Sequence, residues 1–115
     1  MLPIEGHEPL FRGRVGIDLS EEQGYNAARA TGLNALAVAR QHLGSLNRIS
    51  RVVRIGVYIV GAGDSVDQPK IADGASDLFQ EIFGKDRISA RLVIGVASLP
   101  LGVPVELEVI FEVSD

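Results

Sequence analysis

Two charged residues in the last third of the 115-residue sequence have the types and spacing for chemistry on a small acid. They are Arg91, within an apolar run at 90–96, and Glu106, within a second run at 105–113. A guanidinium presents a planar fork of donors that suits a carboxylate, and a carboxylate can orient a water and accept its proton. The connection at 98–104, Ser-Leu-Pro-Leu-Gly-Val-Pro, is short and rich in turn formers, so the two runs read as a β-hairpin. That hairpin would put Arg91 and Glu106 on neighbouring antiparallel strands, able to share a face. Their plain role there is a cross-strand ion pair contributing only ~0.2–1 kcal/mol, and spacing alone favours it over chemistry.

Other candidates carry less. Gly61-Ala62-Gly63 follows a strand-like run and precedes a helix-like one, as a dinucleotide loop would, but the sixth position is Val66 and Asp64 sets negative charge where a pyrophosphate would lie. A loop that needs glycine dihedrals accounts for it. His7 and His42 are the only histidines; neither has a ligand set nearby, and His42 falls where a helix end favours an imidazolium. Ser20 reads as a helix cap, and Ser98 lacks the setting of a nucleophilic serine. With no cysteine, disulfides, thiol nucleophiles and the common zinc cages are excluded, and neither a metal nor a cofactor is expected.

The elements that would position these residues follow from local chemistry. Ser20-Glu21-Glu22-Gln23 is a capping box, so a helix should start there, run through Ala27, Ala28, Ala30, Leu33, Leu36, Ala37 and Leu43, and stop at Gly44. The β-branched run at 51–60 predicts a central strand covered on both faces. A second helix is expected from the cap Asp67 and Pro69 to Phe83, ending at Gly84, with Ile71, Ala75, Leu78, Phe79 and Ile82 as its apolar face. In the final strand Val105, Leu107, Val109, Phe111 and Val113 alternate with Glu106, Glu108, Ile110 and Glu112, giving a buried face and an acidic one. Residues 1–11 read as irregular, and Arg12 to Gly16 as a short strand or hairpin arm at most.

No repeat or linker divides the chain, so residues 1–115 are expected to form one α+β domain, a sheet with two helices packed on one face. A hydrophobic fraction of 46% with 5% aromatics implies a core of Val, Ile, Leu and Ala. The net charge of −4 and the scattered arginines argue against nucleic acid, although a basic patch formed on assembly would escape that average. No run approaches the ~18 apolar residues of a membrane span, and a cytoplasmic location is the simplest expectation.

The segments Asp67-Gln68-Pro69-Lys70, Gly74-Ala75-Ser76-Asp77-Leu78, Ala90-Arg91, Gly95-Val96-Ala97-Ser98-Leu99-Pro100 and Val105-Glu106-Leu107-Glu108 resemble the Rid (reactive intermediate deaminase) family, also known as endoribonuclease L-PSP-like. The resemblance spans nearly the whole chain. It implies a chorismate-mutase-like fold, a homotrimer with a central barrel, and ligand clefts between subunits. It also implies that Arg91 grips the carboxylate of a small ligand and that Glu106 positions or activates the water hydrolysing a 2-imino or enamine acid to a 2-oxo acid and ammonia. Two departures stand out. Val93 replaces a cysteine frequent in the best-known deaminases, and Met1-Leu2-Pro3 starts where the family's N-terminal hairpin ends, so that two strands and a cleft aromatic are expected to be lacking.

Two functions compete on these residues. One is a cofactor-free imine or enamine deaminase, resting on Arg91 and Glu106; the other is a non-catalytic trimer that binds a small carboxylate, which the short N-terminus favours. A ribonuclease is disfavoured by the acidity and by the lack of a histidine near the signature segments, and a chorismate-mutase-like activity would rest on fold analogy alone.

Overall fold

In the computed structural model, which describes residues 1–6, 8–63 and 66–114, local sequence chemistry forms the helices. Helix α1, Glu21–Leu43, starts at a reciprocal capping box: Ser20 Oγ accepts from the Gln23 amide and Gln23 Oε1 accepts from the Ser20 amide. It stops at Gly44, whose φ of 84° is the left-handed conformation that glycine adopts freely. Helix α2, Gln68–Phe83, has Asp67 as its cap, accepting from the Lys70 amide, and ends at Gly84. Ahead of α1, β1 (Ile4–Glu5) and β2 (Glu8–Pro9) form a small hairpin, tied to α1 by Asn34, which donates to the Leu2 and Ile4 carbonyls at 2.8 Å each. Val15 makes single bridges to Leu19 and Gly61 rather than a strand. His7 and Asp64 lie outside the described residues.

Three strands build the main sheet: β3 (Ile49–Ile59), β4 (Ile88–Gly95) and β5 (Val105–Val113), in the order β4-β3-β5. Strand β4 is parallel to β3 and β5 antiparallel to it, so the expected hairpin between residues 90–96 and 105–113 does not form. The reason is topological. Once α2 returns the chain to lay β4 beside β3, as a strand-helix-strand unit does, the other edge of the most buried strand is still vacant. The connection at 96–104 crosses the end of β3 to reach it. The Val96 amide donates to the Ile59 carbonyl and the Val60 amide to the Pro104 carbonyl, both at 2.9 Å.

Both helices pack on one face of this sheet. Val52, Ile55, Val57 and Ile59 of β3, Val105 and Leu107 of β5, and Ile71, Ala75 and Phe79 of α2 are buried there, and Phe79, Phe83 and Phe111 form a ring cluster with centroids 6.2–6.4 Å apart. Gly74 sets the helix crossing, because a methyl group at that position would collide with the Tyr25 carbonyl of α1. The expected helical faces are too wide: Leu33, Ala37 and Ile82 are exposed, Leu33 by 50%. Nor is β3 covered on both faces. On the side away from the helices, Leu92, Ile94 and Ile110 are 38–46% exposed. No helix among the described residues is long and apolar enough to cross a membrane.

Candidate functional site

Arg91 sits on β4 opposite Ile55 of β3, and residues paired across a ladder point to the same face. Ile55 is a core residue, so Arg91 is turned towards the helices, where its Nη1 donates to Asp73 Oδ1 at 2.7 Å and to Ser76 Oγ at 3.1 Å. Both acceptors lie on α2, one turn apart. The Arg91 side chain stays 31% exposed and borders a depression of about 250 Å³ that Asp77 and Gln80 also line. Its two Nη1 protons are committed. The Nε–Nη2 edge, the other face of the fork through which a carboxylate binds in two bonds, has no partner among the described residues.

Glu106 pairs in register with Tyr58 on the far side of β3. Its neighbours Val105 and Leu107 are buried against the helices, so alternation turns Glu106 to the open face. Within one chain Arg91 and Glu106 are therefore on opposite faces. Two strand spacings of roughly 4.8 Å and three residue steps of roughly 3.3 Å put their Cα atoms on the order of 14 Å apart. Neither the expected neighbouring position nor the cross-strand ion pair exists. The three acidic residues of β5 also differ in their partners: Glu108 has Arg54 Nε at 3.7 Å, Glu112 accepts from Ser50 Oγ at 2.8 Å, and Glu106 makes no hydrogen bond or ion pair with the described residues.

The family model described as "YjgF/chorismate_mutase-like, putative endoribonuclease" matches residues 2–112. The chain belongs to the YjgF/chorismate mutase-like family. It is 36% identical to Protein TCP17 of Trypanosoma cruzi across 99% of this chain and 72% of that protein. Among solved structures, Atu1372 of Agrobacterium tumefaciens, of unknown function, superposes with a TM-score of 0.92 at 32% identity, covering 98% of this chain and 73% of the other. A "putative endoribonuclease" of Shewanella oneidensis MR-1 gives 0.91 at 31% identity, with 97% and 74% covered. The family match places this chain in the Rid or L-PSP superfamily, and its two-helix, mixed-sheet architecture agrees with that of these two structures.

In this YjgF/chorismate mutase-like chain the remaining candidates stay structural. Ser20 is a cap, Gly61 is a bridge partner of Val15, and His42 borders an apolar groove between α1 and the outer edge of β5. Val93 packs against the core. No group of three metal-ligating side chains occurs among the described residues. Sequence reasoning missed Asp73 and Ser76, the partners of Arg91, because their spacing of three residues fits any helix. It also missed Arg54, set within a strand whose apolar residues drew the attention. Its Nε is enclosed yet makes no hydrogen bond.

Proposed function

We propose that this protein hydrolyses reactive 2-imino or enamine acids to 2-oxo acids and ammonia, in clefts between the subunits of a homotrimer. The observation that carries this reading is the half-committed guanidinium of Arg91, held through one nitrogen by α2 and open along its Nε–Nη2 edge to a ligand carboxylate. Glu106, whose side chain has no partner among the described residues, is the matching water-activating group. In the reaction the water oxygen bonds to the imine carbon as Glu106 takes its proton. The proton is relayed to nitrogen to give a carbinolamine; its hydroxyl proton then passes through Glu106 to the same nitrogen as the carbon–nitrogen bond breaks and the carbonyl forms, and ammonia leaves a 2-oxo acid. The exposed apolar side chains on the open sheet face favour assembly, and the opposite orientations of Arg91 and Glu106, with β3 between their strands, favour a shared cleft that draws on two subunits.

Ammonia release from freshly generated 2-imino acids tests the activity. Glu106→Gln keeps shape and hydrogen bonding while removing the base, so turnover should fall far more than ligand binding; turnover at the parent rate would remove Glu106 from the mechanism. The separation of Arg91 from Glu106 also favours a second reading, a trimer that binds small carboxylates without turning them over. Binding of 2-oxobutanoate with no ammonia release from any imino acid would select it.

A further inference from the structure

Arg91 borders a second hollow besides the one it shares with the acidic face of α2. This hollow, about 190 Å³, opens at β4 and is lined by Arg54, Ala90, Arg91 and Leu92. Arg54 lies directly opposite Ala90 in the β3–β4 ladder, one residue from Arg91, so it reaches this place from the open face while Arg91 comes from the helix face. The two guanidiniums differ in their commitments. That of Arg91 is held tightly by Asp73 at 2.7 Å. Among the described residues that of Arg54 has only Glu108, at 3.7 Å, beyond hydrogen-bond length, and its enclosed Nε has no acceptor there. A cation whose donors are partly desolvated and unmatched gains more from an arriving anion than one already paired.

We propose that Arg54 is a second anion-binding residue beside Arg91 and that the ligand this site selects is a short diacid, one carboxylate on each arginine. The inference rests on the carboxylate-binding reading of Arg91 and sharpens it to a ligand class. Arg91, whose charge Asp73 offsets, has one open edge and so can take one carboxylate but not two. The loosely held Arg54 supplies the additional positive charge, and it does so where the apolar Ala90 and Leu92 accommodate the carbon chain between the two acid groups.

Calorimetric titration of the intact protein with 2-oxoglutarate and with 2-oxopentanoate, which differ by the second carboxylate alone, decides the question. The parent is expected to bind the diacid about fivefold to tenfold more tightly. Arg54→Gln should erase that preference while leaving 2-oxopentanoate affinity within about twofold, and Arg54→Lys should retain part of it. Glu108→Gln, which releases Arg54 from its neighbour, should tighten diacid binding and serves as the deciding variant if Arg54→Gln does not fold. A parent with no preference, an Arg54→Gln variant that loses both ligands equally, or diacid binding unchanged in Glu108→Gln would overturn the role of Arg54. In those outcomes the Arg91 site survives as long as 2-oxopentanoate binding still depends on it. Binding of neither acid by the parent would overturn both readings.

Discussion

Arg91 and Glu106 project from opposite faces of one three-stranded sheet, with β3 between the strands that carry them. In the proposed trimer a cleft that uses both would take Arg91 from one subunit and Glu106 from the next, and this would make the proposed activity divisible between chains. Arg91→Ala and Glu106→Gln variants, each inactive, should complement when unfolded and refolded together. Random mixing of equal amounts leaves roughly a quarter of the clefts with both native residues, so roughly a quarter of the parent activity should return. Ammonia release that stays at the background of the separate variants would place both groups in a cleft within one subunit.

Arg91→Ala should weaken binding of 2-oxobutanoate about tenfold to a hundredfold, the loss expected for a charge-assisted bidentate contact of ~1.5–3 kcal/mol. Arg91→Lys should not restore it, because an ammonium cannot satisfy Asp73 and present a two-pronged edge at once. The oligomeric state by sedimentation should be unchanged in both variants. Equal affinity in Arg91→Ala and the parent would reduce Arg91 to a tether between β4 and α2.

Much of this arrangement was legible in the sequence, for reasons specific to each element. The capping box at Ser20, the cap at Asp67 and the stops at Gly44 and Gly84 are chemistry confined to a few adjacent residues, and each holds as expected. The alternation in β5 sorts Val105 and Leu107 from Glu106 and Glu108 as a half-buried strand must. What was not legible is partnership. The loop at 98–104 has the composition of a hairpin turn, yet the vacancy beside β3 that draws β5 across is a property of the assembled sheet. The bond between Asp73 and Arg91 exists because α2 crosses β4 there, and nothing in a sequence separation of 18 announces it.

The contacts between the two helices should be sensitive to pH at both extremes. The Tyr25 hydroxyl donates to Asp77 at 2.7 Å, and chiefly this bond, with burial next, raises the phenol above its usual 10.0. Its contribution is complete below the unfolded value and disappears as pH climbs through the folded one. Glu81 accepts from both terminal nitrogens of Arg29, at 3.3 and 2.9 Å, and this holds its carboxyl below the usual 4.5. Its contribution is present above that value and vanishes as pH drops through the lowered one. In urea unfolding across pH, the deficit of Tyr25→Phe should therefore shrink in alkali and that of Glu81→Gln in acid. A deficit independent of pH would assign each to packing.

Gly74→Ala should destabilise the protein by about 1–3 kcal/mol, because the added methyl group meets the Tyr25 carbonyl and the helices must separate. The ring cluster of Phe79, Phe83 and Phe111 beneath α2 would open with them. Thermal unfolding provides the measure. A melting temperature at or above that of the parent would show that α1 and α2 slide without loss at this crossing.

The path of residues 96–104 over the end of β3 also dictates the order in which the molecule can be made. Strand β5 is synthesised after the other two strands of the sheet, yet its partner β3 lies 46 residues earlier at one end of their ladder, where Ile59 meets Val105, and 64 earlier at the other, where Ile49 meets Val113. Until residues 105–113 leave the ribosome, an apolar strand waits with one edge bare, a state that invites pairing with other nascent chains and slows folding through its non-local closure. The acidic residues Glu106, Glu108 and Glu112 thus arrive as charges on the strand that covers the hazard. Loss of β5, with its nine residues, would be expected to leave an aggregating fragment rather than a smaller folded one.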